Sequence, residues 1–87
     1  MSIAATFEAL GDPTRRQIIA LLAHGEAPVA EIAQQFNVTM AAVSQHLKVL
    51  RDAGLVTVRP LSQQRLYRLA PGPLTEAAAW LTRMGGG

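Results

Sequence analysis

The chain has 87 residues, of which 49% are hydrophobic and 16% charged, and its formal net charge is +2. This length supports one compact domain, which as a lone monomer would bury only roughly 60% of its unfolded surface. The absence of cysteine excludes disulfides, thiolate metal sites, thiol redox switches and cysteine nucleophiles. We expect a cytoplasmic protein, because the chain starts without a basic secretory signal and no apolar run approaches the ~20 residues that cross a membrane.

The first part of the chain is predicted to form helices separated by turn residues. A first helix is predicted over Ile3 to Leu10. A second runs from Pro13 to about Ala23, because Asp12 suits the N-cap and Gly25 suits the end of the helix. A short third helix begins at Pro28 and carries an apolar stripe of Val29, Ile32, Ala33 and Phe36.

A fourth helix is predicted to follow the turn Asn37-Val38-Thr39 and to run to about Ala53, with Thr39 as N-cap and Gly54 as the terminating residue. Its apolar and polar residues lie on separate faces. One face holds Met40, Val43, Leu47 and Leu50, and the other holds Ala41, Ser44, Gln45, Lys48 and Asp52. A short helix, a tight turn and a helix whose N-terminal half is small, polar and uncharged together predict a helix-turn-helix.

The pattern changes after Gly54 to the alternating polarity of strands. Leu55 to Arg59 and Arg65 to Leu69 are predicted strands, joined by a connection of hairpin length from Pro60 to Gln64. Pro73 then begins a fifth helix that is more apolar than a solvent-facing terminal helix should be. We therefore predict a mainly α, winged helix-turn-helix fold with about five helices and a two-stranded β-hairpin wing, as a single domain over residues 1–87.

This arrangement predicts binding to double-stranded DNA. The major groove admits one helix, whose inserted face needs short side chains with hydrogen-bonding groups. We expect Gln45 to pair with adenine and Ala41 to meet a thymine methyl group, while Ser44 and Thr39 bond a base edge or a phosphate. Lys48 is expected to reach phosphate, and the hairpin to bring Arg59, Gln63, Gln64 and Arg65 to the DNA backbone or the minor groove.

Two further arginines, Arg15 and Arg16, stand in the first turn of the second helix, where a positive charge is unfavourable beside the helix dipole. A phosphate partner would explain them, and so would a solvated pair, because the dipole effect is only a few tenths of a kcal/mol. The polar face with Ser44 and Gln45 likewise has an ordinary alternative as a solvated helix surface. We favour DNA binding for that face because a solvated surface normally carries more lysine and glutamate.

The chain resembles the ArsR family of winged-helix repressors. The resemblance rests on FEALGDPTRR at residues 7–16, VSQHLKVLR at 43–51, AGLV at 53–56 and LYRL at 66–69. It implies a homodimeric repressor that binds an inverted-repeat operator, with the first and last helices as the dimer interface. The residues expected there are Ile3, Phe7, Leu10, Leu74, Ala77, Ala78, Trp80, Leu81 and Met84.

The metal sites known in that family are not expected here. Pro28 and Ala30 stand where many members carry their paired cysteines, and Glu76 is the one candidate ligand on the last helix. We therefore expect no metal and no cofactor. His24 is expected to bond the last carbonyls of its helix, and His46 to be packed or bonded to a carbonyl rather than to sense pH. Control by an unidentified small molecule, by a partner protein or by the protein's own concentration stays open.

The sequence also allows interpretations other than a repressor. The apolar residues around Trp80 could cover the domain's own core, although a domain of this size favours an interface. A winged-helix module that binds another protein and makes little use of its basic face is the alternative function. An enzyme is the weakest of these interpretations and is not expected, since the chain has no cysteine, no histidine beside a carboxylate at catalytic spacing and no glycine-rich phosphate loop.

Overall fold

Helices and a small antiparallel sheet alternate along the chain in the computed structural model, which describes residues 2–85. The remaining terminal residues, including Gly86 and Gly87 of the final glycine run, lie outside this description. The elements are α1 (Ile3–Leu10), α2 (Pro13–Leu22), β1 (Ala27–Pro28), α3 (Val29–Phe36), α4 (Met40–Asp52), β2 (Val56–Leu61), β3 (Gln64–Leu69) and α5 (Gly72–Gly85).

The predicted N-caps are confirmed. The Asp12 carboxylate accepts a hydrogen bond from the Arg15 backbone N–H at 3.0 Å, with Pro13 at the start of α2. The Thr39 hydroxyl accepts from the Ala42 N–H at 3.1 Å at the start of α4. Each side chain satisfies a backbone donor that has no partner within its helix, which defines where α2 and α4 begin.

Helix α4 ends where glycine was expected to end it. Gly54 has a φ of 78°, and its N–H bonds to the Arg51 carbonyl at 2.9 Å. The Leu55 N–H bonds to the Leu50 carbonyl, also at 2.9 Å. This pair of bonds is a Schellman motif, in which the left-handed residue turns the chain sharply out of the helix. The turn leads directly from α4 into β2, so the hairpin is held beside the end of the fourth helix.

The sheet has one strand more than expected. Its order is β1-β3-β2, with both pairs antiparallel, so the central β3 pairs with β2 and with the short β1. Two residues are too few to show alternation in a sequence, which is why β1 was not predicted. The hairpin connection is also shorter than expected, because Pro60, Leu61 and Gln64 belong to the strands and only Ser62 and Gln63 form the turn. Pro60 is tolerated because β2 is an edge strand.

The core joins both helices of the helix-turn-helix to the sheet. Its most deeply buried large side chains are Ile18, Ile32, Val43, Leu47, Leu50, Leu55 and Val56. Met40 was expected on this apolar face and is instead 55% exposed. It lies in the first turn of α4, where the neighbouring Thr39 and Ala41 are exposed too, so the helix meets the core only from Val43 onwards. The predicted winged helix-turn-helix fold is otherwise confirmed.

Candidate nucleic-acid interface

The exposed face of α4 is determined by what its opposite face buries. Val43, Leu47 and Leu50 are at most 1% exposed. The opposite side chains are therefore turned to solvent, and Ala41, Ser44 and Gln45 all lie exposed on that face as expected. We call these three residues the reading surface, since a methyl group, a hydroxyl and a carboxamide on one helix face are the groups that recognise base edges in the major groove.

Thr39 stands beside the reading surface but has a structural task. Its hydroxyl oxygen accepts the bond that caps α4, at 3.1 Å from the Ala42 nitrogen. A threonine hydroxyl also carries a proton that it can donate. Thr39 is exposed, so this proton is available to a phosphate oxygen without loss of the cap.

Lys48 continues the exposed face and forms an ion pair that the sequence analysis did not anticipate. Its Nζ lies 3.0 Å from the Asp52 carboxylate, one helical turn further on, and the side chains are 70% and 67% exposed. Exposed pairs of this spacing contribute only about 0.3 to 0.5 kcal/mol. A phosphate can therefore compete with Asp52 for Lys48.

The hairpin carries its arginines on opposite faces. Cross-strand partners share a face of the sheet, and successive residues along a strand point to opposite faces. Arg65 is the partner of Pro60 and lies with Val58 on the face towards α4, to which the buried Val56 also belongs. Arg59 is the partner of Leu66 and lies on the other face. The two arginines predicted to contact DNA are thus separated by the sheet, while Gln63 and Gln64 are exposed at the hairpin tip.

Arg59 is held by an acid from outside the hairpin. Its Nε donates to the Glu26 carboxylate at 2.9 Å and its Nη2 donates to the other carboxylate oxygen. This paired hydrogen bonding lowers the pKa of Glu26 and raises that of Arg59. The pair ties β2 to the segment before β1, and it neutralises the charge that Arg59 was expected to offer to DNA.

Arg65 lies in different surroundings, on a groove that it shares with Arg51. The groove has a volume of about 240 Å³ and is lined by Arg51, Val58, Pro60 and Arg65. Arg51 is exposed in the last turn of α4 and was not among the expected DNA-binding residues. Counting residues would have found it, because Arg51 follows Ser44 by seven positions and so returns to nearly the same side of the helix.

Arg15 and Arg16 have partners within the chain. Arg15 Nε donates to the Ala9 carbonyl at 2.6 Å, and Arg16 Nη1 donates to the Leu10 carbonyl at 2.7 Å. These carbonyls end α1, where a positive charge is favourable. The two guanidinium groups are therefore explained by the end of α1 and need no phosphate, which the sequence analysis missed because only the fold brings the helices together.

The position of α2 also separates these arginines from the reading surface. Asp12, at the start of α2, lies 3.9 Å from the imidazole of His46 on α4. His46 is two residues from Ser44, or about 200° around the helix. The first turn of α2 therefore lies behind the reading surface. His46 was expected to be packed or bonded to a carbonyl, and it faces a carboxylate instead.

That carboxylate is well placed to stay ionised. The pKa of Asp12 is lowered chiefly by the hydrogen bond from the Arg15 backbone N–H, with a further contribution from the charge of His46. Asp12 therefore caps α2 and sits opposite α4 at the same time. His24, by contrast, is exposed, and its imidazole makes no hydrogen bond to another described residue, so the expected capping by its side chain is not observed.

A second candidate surface lies on the terminal helices. Phe7 on α1 and Trp80 on α5 stack edge to face, with ring centroids 5.8 Å apart. Leu81 and Met84 continue this surface and are 52% and 63% exposed. We call these four residues the apolar patch. Large apolar side chains gathered at one exposed place are typical of a surface that contacts another protein.

The other residues expected at a dimer interface divide by burial. Ala78 is exposed, and Ile3, Leu10 and Leu74 are half-buried. Ala77 is only 4% exposed and is buried within the single chain, on a helix that packs against α1. Ala77 is therefore not available to a partner in this conformation.

Neither a metal site nor a membrane span is evident in the described part of the chain. Residues 2–85 contain no group of three or more histidine, cysteine or acidic side chains arranged to hold a metal ion. Within the same range, no helix has the length and apolarity needed to span a membrane.

Comparison with known proteins identifies the family to which the chain belongs. A helix-turn-helix domain model matches residues 10–59. The chain is 47% identical to the HTH-type transcriptional regulator Rv2034 of Mycobacterium tuberculosis, over 88% of this chain and 72% of the relative. The homodimeric winged helix-turn-helix DNA-binding domain of Mb0332 from Mycobacterium bovis, a possible ArsR-family regulator, superposes with a TM-score of 0.79 at 30% identity, covering 97% of this chain and 78% of that one. This chain belongs to the ArsR family of transcriptional regulators.

A further relative agrees with the assignment. The transcriptional repressor SdpR of Bacillus subtilis is 33% identical, over 86% of this chain and 83% of the relative. An ArsR-family chain is a DNA-binding transcriptional regulator rather than an enzyme, so the expectation of no catalytic activity agrees with the family.

Proposed function

We propose that this ArsR-family chain is a homodimeric repressor that binds an inverted-repeat operator and has no metal or thiol sensor. The observation that carries the proposal is the reading surface itself, an exposed face of α4 with uncharged polar groups beside a hairpin that bears arginines. Gln45 reads adenine through its carboxamide, Ser44 bonds a base edge or phosphate, and Ala41 meets a thymine methyl group.

The homodimer is supported by the apolar patch, since Phe7, Trp80, Leu81 and Met84 stay exposed on a single copy. A two-fold axis through the patch would present two copies of α4 to successive major grooves about 34 Å apart. The operator should then be an imperfect palindrome. The lack of a thiol sensor follows from the absence of cysteine in the whole chain.

Replacement of Gln45 by alanine tests the reading surface. Sequences bound by the full chain are selected from random DNA, and affinity is then measured by fluorescence anisotropy on the selected site and on variants of each base pair. We expect Gln45→Ala to weaken binding by about 1 to 3 kcal/mol and to relax discrimination at one base pair in each half-site. Gln17→Ala, an exposed glutamine on α2, is the matched control. Unchanged affinity and sequence preference in Gln45→Ala would refute this assignment.

A further inference from the structure

The groove between the end of α4 and the hairpin carries positive charge that no described acid neutralises. Arg51 and Arg65 line it together, and neither forms an ion pair with another residue of the described chain. Asp52, the acid next to Arg51 in the chain, is bound to Lys48 at 3.0 Å. Two guanidinium groups on one groove repel each other unless an anion lies between them.

The position of Arg65 in this groove follows from strand register. Arg65 pairs with Pro60, and alternation places Val58 and Pro60 on the same face of β2 as Val56. Val56 is 1% exposed and belongs to the core, so this face is turned towards α4. A shift of one residue in the register would move Arg65 to the other face, where Arg59 already pairs with Glu26.

The position of Arg51 follows from helix geometry. Seven residues are almost two full turns, so Arg51 lies about 20° around the helix from Ser44 and roughly 10 Å further along it. It therefore extends one edge of the reading surface towards the hairpin. The groove lies at the junction of the two elements that the proposed function places on DNA.

We propose that Arg51 and Arg65 jointly bind one backbone phosphate of the DNA, at the junction of α4 and the hairpin. The inference rests on the proposed function and adds to it a contact that binds without reading sequence. Guanidinium groups suit this ligand, because each presents a planar pair of N–H donors to phosphate oxygens. Val58 and Pro60 supply the apolar floor of the groove, which leaves the donors to come from the two arginines.

The test measures DNA affinity by anisotropy at several salt concentrations, on the selected operator and on unrelated DNA. The variants are Arg51→Gln, Arg65→Gln and the double variant. Arg83→Gln is the matched control, since Arg83 is exposed in the last turn of α5 and loses the same charge. Loss of one phosphate contact lowers the slope of log affinity against log salt by about 0.9 and weakens binding roughly eightfold at 0.1 M salt.

We expect Arg51→Gln to show this loss equally on operator and unrelated DNA, because a phosphate carries no sequence information. The double variant should lose much less than the product of the two single losses, since both arginines hold the same phosphate. Arg51→Lys should recover most of the salt slope by keeping the charge. Thermal unfolding of every variant without DNA checks that the fold is retained.

Several results would overturn the inference. One is an Arg51→Gln protein that behaves as Arg83→Gln does, and another is a double variant whose losses multiply. A loss confined to the operator would assign Arg51 to a base. Saturable binding of inorganic phosphate to the DNA-free protein, lost in Arg51→Gln, would assign the groove to a small anion. A wild-type chain that binds no DNA would refute the proposed function together with this contact, whereas the other results leave that function intact.

Discussion

The surface formed by α4 and the hairpin and the apolar patch on α1 and α5 are built from opposite kinds of side chain. The first exposes hydroxyl, carboxamide and guanidinium groups, and the second exposes two aromatic rings with a leucine and a methionine. Neither surface suits the partner of the other. A polar surface gains little free energy from being buried against protein, and an apolar surface gains none from contact with phosphate. One small domain thus presents a surface suited to nucleic acid and another suited to protein.

The largest expected effect is the loss of dimerisation when a charge is introduced into the apolar patch. Leu81→Glu places a carboxylate in the proposed dimer interface, from which water is excluded. Two-fold symmetry introduces this charge twice, once from each copy. We expect the dimer dissociation constant to rise at least about a hundredfold, since an unpaired buried charge costs several kcal/mol. Sedimentation velocity measures this. Leu61→Glu, at the hairpin tip and 49% exposed against 52% for Leu81, should leave the oligomeric state unchanged.

A monomeric wild-type chain would contradict the proposal that the apolar patch forms a homodimer interface. If such a monomer also lacked salt-dependent binding to DNA, the function as a protein-interaction module would replace that of a repressor. A monomeric Leu81→Glu protein that keeps full operator affinity would instead separate DNA binding from the dimer.

Arg15 tests whether the arginines of α2 belong to the DNA surface or to α1. Arg15→Ala removes the donors to the Ala9 and Glu8 carbonyls, at 2.6 and 3.3 Å. We expect a loss of about 1 to 2 kcal/mol in the free energy of unfolding, measured by urea denaturation without DNA. The slope of DNA affinity against salt should match that of wild type. A stable variant with a lowered slope would restore Arg15 to the DNA-binding residues.

Glu26→Gln tests whether Arg59, on the face of the hairpin opposite Arg65, can bind DNA once its acidic partner is removed. The substitution removes the charge that holds Arg59 and leaves that guanidinium for a phosphate. We expect DNA affinity to rise by a few-fold, up to roughly eightfold at 0.1 M salt, with a salt slope steeper by about 0.9. Glu31→Gln, an exposed acid on α3, controls for the change in net charge. An equal gain in both variants would show that Arg59 does not reach DNA.

The smallest expected effect is the contribution of two ionised carboxylates to folding stability, and it is measured by lowering the pH. Folding lowers the pKa of both Asp12 and Glu26, so the unfolded chain binds more protons than the folded one. Their contribution to stability is present above roughly pH 4 and is lost as the pH falls through the lowered values. We expect the urea concentration at the unfolding midpoint to decrease as the pH is lowered from about 4. Asp12→Asn keeps a cap acceptor without this titration, so its midpoint should fall less over the same range.

Local rules were enough for much of the fold. The caps at Asp12 and Thr39 and the helix end at Gly54 depend on residues within a few positions, and all were predicted correctly. The hairpin followed from the alternation of β2 and β3. The short β1 was not predicted, because its pairing with β3 joins residues that are far apart in the chain, as in Ala27 with Tyr67, 40 positions later.

The candidate site was predicted less fully, for a related reason. The exposed face of α4 follows from helical periodicity, so Ser44 and Gln45 were placed correctly on it. The partners of the arginines depend on tertiary contacts, as with Arg59 and Glu26, which are 33 positions apart. A count of basic residues treats all arginines alike. The fold assigns some to carbonyls or to Glu26 and leaves Arg51 and Arg65 in a shared groove.

The two proline-bearing strands have a consequence for behaviour at high concentration. Pro28 lies in β1 and Pro60 in β2, so each edge strand of the sheet contains a residue without a backbone N–H. Unprotected edge strands recruit further strands from other molecules and lead to aggregation. Proline interrupts the row of donors that such recruitment needs. Concentrated protein should therefore resist amyloid-like stacking through its sheet.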